Sequence, residues 1–157
     1  MKTLGWLISK ARFLLLAFSW GALGVVGALV VPLLFKNLDS KHLAGVLAAQ
    51  LFIWVSLLSL LCALMAVLCT LWAHLQKKQA LSLIHLRQAP SFLWGVAALG
   101  ASLAMLLGII PSIQLGQDRA LWHALGSVLY VVMWVLSGAL LMEDAKRCFH
   151  TKLASEP

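Results

Sequence analysis

Charge is scarce in this sequence. Aspartate, glutamate, lysine and arginine together make up 11% of its 157 residues, whereas a soluble globular chain carries about 25%. Only five residues are acidic, and none falls inside the long apolar stretches, so no carboxylate is placed there to relay protons. The three cysteines form no CxxC, and no disulfide is implied. Between Val46 and Ala89 there is neither proline nor glycine, so nothing in that stretch breaks a helix. The polar connections are too short to form a catalytic domain. The expectation is a protein that is not an enzyme.

Apolar residues fill the chain instead, at 62% with a mean hydropathy of +0.97. Crossing a hydrocarbon core takes about 20 residues of helix. Stretches of that length run from Phe13 to Val31, Ala44 to Trp72, Ser91 to Pro111 and Trp122 to Met142. None contains a charged residue or alternates as a barrel strand does. A spanning segment must satisfy its own backbone groups, so the expectation is an all-α membrane protein, a four-transmembrane-helix bundle forming one domain over residues 1–157. The second stretch is too long for an upright span and predicts a tilted helix that projects beyond the bilayer.

A net charge of +7 would suggest nucleic acid in a soluble protein. Here the charges lie between apolar stretches, where they act as topology signals and contacts to anionic lipid, so the bilayer is the expected partner and nucleic acid is not. Lys2, Lys10, Arg12, Lys77, Lys78, Arg87, Lys146, Arg147 and Lys152 fall on one side, against Lys36, Lys41 and Arg119 on the other. The positive-inside rule then puts both termini in the cytoplasm of a cell bounded by a bacterial-type inner (plasma) membrane. Lys2, Lys10 and Arg12 before an apolar stretch resemble a secretory signal, but the stretch exceeds the usual h-region, which predicts an uncleaved first span. Residues Met1 to Ala11 are expected to form a short interfacial helix ahead of it.

Helices approach closely in lipid where residues are small. Ala17 with Gly21, Gly24 with Ala28, Gly45 with Ala49, Ala97 with Ala101 and Ala104 with Gly108 have the spacing for a compact bundle or a homo-oligomer. Cys62, Met65 and Cys69 share one stripe of the second helix and carry soft ligands, but ordinary packing explains them better. Ser19, Ser56 and Ser59 are expected to bond their own helix backbone. His74 and His85 lie about 16 Å apart along a helix and cannot share a metal. His42 and His123, with Gln50 nearby, make the candidate outer-side polar cluster, and His123 and His42 are the weak candidates for a metal ion or haem iron.

The stretch Val30 to Phe52 joins the first two spans. Pro32 predicts an end or kink in the first span, the apolar Leu33 to Leu38 an interfacial segment, and Asp39 or Ser40 a cap for the second helix. "PLLFKNL", "AGVLAAQLF" and "RALWHALGSVLYVVMWVLSGALL" together resemble the transmembrane-protein-205-like family of small four-span membrane proteins. The matching positions are Pro32, Phe35, Ala44, Gly45, Leu51 and Phe52, with Trp122-His123 standing where the family has Leu-His. That family has no established molecular function, and the resemblance implies at most a link to metal or drug handling. The layout is more distantly similar to copper-resistance-D-like membrane proteins and a haem-binding membrane protoporphyrinogen oxidase, which implies a haem-linked oxidoreductase as one alternative.

The leading expectation is a membrane scaffold or accessory subunit, alone, as a homo-oligomer or in a larger complex, with no cofactor. One alternative is a transporter or channel for a small solute, metal or drug, its pore formed between protomers. The other is a haem- or metal-binding redox protein built on His123.

Overall fold

The computed structural model describes residues 2–76, 90–115 and 119–153. Its elements in order are α1 (Lys2–Val25), a π-helical turn (Val26–Val30), α2 (Val31–Asn37), α3 (Lys41–Gln76), α4 (Pro90–Ala104), a second π-helical turn (Met105–Ile109), α5 (Ile110–Gln114) and α6 (Arg119–Leu153). No strand occurs among the described residues. Lys77, Lys78, His85 and Arg87 lie outside them.

Four helical stretches are long and apolar enough to cross a membrane: Leu7–Asn37, Lys41–Ala73, Pro90–Ile113 and Leu121–Lys146. The chain is thus an all-α integral membrane protein with four spanning helices. Their outward faces are greasy, with Leu14 65%, Phe18 66% and Trp54 70% exposed. Such faces would be an aggregation hazard in water and are at home in lipid. Neighbours in the chain pack side by side, α1 on α3, α3 on α4 and α4 on α6, and α6 closes the ring against α1. The start of α1 and the end of α6 therefore sit at one end of the bundle, and the turn between α2 and α3 sits at the other.

The expected spans hold at their centres and differ at their ends. Residues 2–11 are no separate interfacial helix, because α1 runs without a break from Lys2 into the span. Nor does Pro32 end the first span, which continues to Asn37. A proline ring collides with the carbonyl four residues earlier and offers no donor. For Pro32 that carbonyl belongs to Ala28, inside the first π-turn, where Val31 N–H reaches back five residues to the Val26 carbonyl. The wider turn makes room for the ring. Pro111 repeats the device, with Leu107 inside the second π-turn and Ile110 N–H bonded to the Met105 carbonyl. Leu34 to Asn37 are accordingly the last turn of a helix and no interfacial strap. The chain breaks at Leu38, where the backbone turns extended. Ser40 caps α3 by accepting a 3.3 Å bond from Leu43 N–H, so the cap is Ser40 and not Asp39.

Spans 1 and 4 meet in antiparallel register. As residues ascend from Arg12 through Trp20, Gly24 and Gly27, their partners descend from Asp144 through Gly138, Trp134 and Tyr130. Glycine is required where the rings press closest. A Cβ on Gly27 would lie 2.6 Å from Tyr130 Cε1, and one on Gly138 would lie 2.8 Å from Trp20 Nε1. The indoles of Trp20 and Trp134 stack with centroids 5.5 Å apart. Dispersion over such close faces is what holds helices together in lipid, where water supplies no hydrophobic drive between them.

Candidate functional site

Two layers of polar side chains and one cavity interrupt the apolar core. At the terminal end, the Arg12 guanidinium grips Asp144 in bidentate fashion, Nε donating to Oδ2 at 2.6 Å and Nη2 to Oδ1. Both residues are buried, Arg12 to 9% exposure and Asp144 to 1%. The planar fork of Arg matches a carboxylate better than an ammonium could, and in a lipid-facing bundle an unpaired charge at this depth would be costly. Leu16, Cys62, Ala66 and Leu140 form an apolar layer next to the pair.

At mid-bundle, Ser102 Oγ donates to Ser59 Oγ at 3.2 Å, and Ser59 and Ser137 share a longer 3.5 Å contact. Ser59 therefore bonds across helices instead of to its own backbone. The buried Ser19 and Ser56 hydroxyls make no hydrogen bond within the described residues, although Ser19 lies beside the Cys62 thiol. Backbone bonding of the expected kind occurs elsewhere, from Thr70 to the Ala66 carbonyl and from Ser127 to that of His123. Cys62 is buried, Met65 and Cys69 are half-buried, and Cys62 Sγ points at the Leu15 carbonyl 3.6 Å away.

Toward the turn end the four spans line a partly open cavity of about 540 Å³. Its size falls in the usual range of small-molecule sites. Two pairs of small residues explain it. Gly24 with Ala28, and Gly45 with Ala49, were expected to draw helices together; both pairs line the cavity, and Gly24 also takes the close approach of Trp134, to whose Nε1 a Cβ there would lie 3.2 Å. A Cβ on Gly45 would have no atom within 4 Å. Larger side chains would have filled this space. The π-turns widen it further, since Gly27 and Met105 to Ile109 belong to them and Gly27, Met105 and Ile109 lie on the wall.

The floor is the cluster of Leu23, Met105, Ile109, Ile110 and Tyr130. Tyr130 Oη is committed to the Leu23 carbonyl at 2.7 Å, and its ring leans on Phe52 with centroids 4.9 Å apart. Ser127 is committed to the His123 carbonyl at 2.9 Å. The remaining polar side chains on the lining are those of His123 and Trp134.

The structure distributes the residues singled out in the sequence. His123 lines the cavity, as do Phe35, Gly45 and Phe52. Ala44 is fully buried beside it, and Pro32 acts through its π-turn. His42 and Gln50 are exposed and are not part of the lining, so the expected three-residue cluster is not assembled around the cavity. Of the other small pairs, Ala97 and both members of Ala104 with Gly108 face outward. Among the described residues no three of His, Cys, Asp and Glu are grouped to hold a metal ion. Both imidazoles are exposed, and only that of His123 lies on the lining.

Residues 14–120 match the family described as Domain of unknown function (DUF4149), and the chain belongs to that family. No curated protein and no solved structure matches it.

Proposed function

We propose that this member of the DUF4149 family is a non-enzymatic membrane subunit that holds one hydrophobic small molecule between its helices. The observation that carries the reading is the cavity of about 540 Å³ walled by the Gly24, Ala28, Gly45 and Ala49 faces. Four helices are long enough to span the bilayer, so an apolar ligand can enter from lipid without crossing water. This gives the scaffold or accessory-subunit role a chemical content. The resemblance to the transmembrane-protein-205-like family supports the same reading, since Phe35, Gly45 and Phe52 all line the cavity. The more distant copper-resistance-D-like resemblance rests on the four-span layout and on His123. Neither resemblance supplies a ligand.

The test is purification in a mild detergent, followed by extraction, mass spectrometry and absorption spectroscopy of what co-purifies. A hydrophobic molecule near one per chain is expected, and Gly45→Phe with Ala49→Phe should expel it while the protein stays folded. Equal amounts of bound lipid in both proteins would sink the proposal. A Soret band lost in His123→Ala would replace it with the haem reading, and solute flux in proteoliposomes would replace it with transport.

A further inference from the structure

The cavity is apolar in its depth, and the turn between α2 and α3 beside it is flanked by two lysines that lie off the lining itself. Phe35 lines the wall, and the residue after it is Lys36; Gly45 lines the wall, and one turn before it is Lys41. Both lysines are exposed, and neither forms an ion pair with a described residue. His123 adds an imidazole on the lining itself, uncommitted by its side chain in any described hydrogen bond. One acid, Asp39, stands in the turn between the lysines, and it too is exposed and unpaired. The segment from Lys36 to Lys41 therefore carries more positive charge than negative. Deeper in, the hydroxyls of Tyr130 and Ser127 are already bonded to backbone carbonyls, so the interior offers a ligand little beyond methyl, methylene and aromatic surface.

Resting on the ligand-holding function just proposed, we infer that the occupant is an anionic amphiphile, with one hydrocarbon chain in the cavity and a phosphate or carboxylate head held at the rim by Lys36, Lys41 and His123. Each part of such a molecule meets its complement. The chain is removed from contact with polar groups, at about 0.8 kcal/mol per buried methylene where the alternative is water. The head lies where lysines can reach it, and a long lysine side chain can lie along apolar surface while its ammonium meets the head at the interface. A neutral head would leave the two ammonium groups without a partner, and a cationic head would be repelled.

Binding of three hexadecyl compounds to the full-length protein in neutral detergent separates the two claims, because their chains are identical and their heads are phosphate, alcohol and trimethylammonium. Displacement of a fluorescent fatty-chain probe reads each affinity. The phosphate is expected to bind tightest, with Lys36→Gln and Lys41→Gln each weakening it about fivefold and leaving the alcohol unchanged. Raised salt should erase the same preference. Equal affinity for all three heads, or lysine variants without effect, would overturn the inference and leave the hydrophobic pocket standing. Failure of every compound to displace the probe from the wild type, or displacement unchanged in Gly45→Phe with Ala49→Phe, would remove the pocket itself. Carboxylate and phosphate heads of equal chain length, compared last, assign the source to a fatty acid or to a phosphorylated lipid.

Discussion

Asp144 of α6 receives two hydrogen bonds from Arg12 of α1, across 132 residues of chain, and both side chains are buried. Removing one residue takes the buried ion pair from the other, which costs about 3–5 kcal/mol in comparable buried pairs. Arg12→Ala and Asp144→Ala should each lower the unfolding midpoint in detergent sharply. The double variant Arg12→Met with Asp144→Leu should be more stable than either, because it removes both charges together. A double variant as unstable as the sum of the singles would show that the pair does not act as a unit.

Tyr130 is pinned at its hydroxyl by the Leu23 carbonyl, so its ring cannot swing away from Gly27. Gly27→Ala should destabilise by about 1–3 kcal/mol through overpacking. Gly21→Ala, where a Cβ would meet nothing within 4 Å, should be neutral or mildly stabilising. Thermal melts of the two variants side by side decide the matter, and equal melting would contradict the close approach described for Gly27.

The Ser59, Ser102 and Ser137 hydroxyls form a three-helix contact, yet interhelical hydrogen bonds in membranes average only about 0.6 kcal/mol. Ser59→Ala should therefore cost less than about 1 kcal/mol in a reversible unfolding assay, far below the Arg12 and Asp144 variants. A large loss would mean that the cluster holds more than these three groups.

Orientation can be tested by its charge asymmetry. Reporter fusions at each terminus should be active in the cytoplasm, and a fusion at residue 39, in the α2–α3 turn, should be active only on the opposite side. Cytoplasmic activity at residue 39 would reverse the topology expected from the lysines and arginines.

The four helices were legible because apolar stretches of spanning length have few alternatives. The Arg12 and Asp144 pair was written in the sequence less openly. Arg12, Leu16, Ser19 and Leu23 repeat at helical spacing on span 1, and Tyr130, Met133, Ser137, Leu140 and Asp144 do so on α6; every one is buried. The stripe marks Asp144 as inward-facing, whereas its neighbours Glu143 and Lys146 suggest a solvated tail. Small residues misled in the opposite sense. Spacing shows that Gly45 and Ala49 share a face, but whether a neighbour closes on that face or stands off depends on the π-turns, and these depend on how each chain yields to its proline. His123 was identifiable as the residue to watch. His42 was not separable from it by sequence, because the direction of a side chain at the start of a helix follows from where the cap falls.

The π-turns at Val26–Val30 and Met105–Ile109 have a consequence for reading relatives of this protein. A π-turn accommodates one residue more than the α-helical turn it replaces, so each is in effect a one-residue insertion that shifts everything after it by about a hundred degrees around the helix. A homologue with a single-residue gap near either position would have a regular helix there and a different face toward the cavity. Gap position, more than residue identity, should then divide relatives that keep the chamber from those that have closed it.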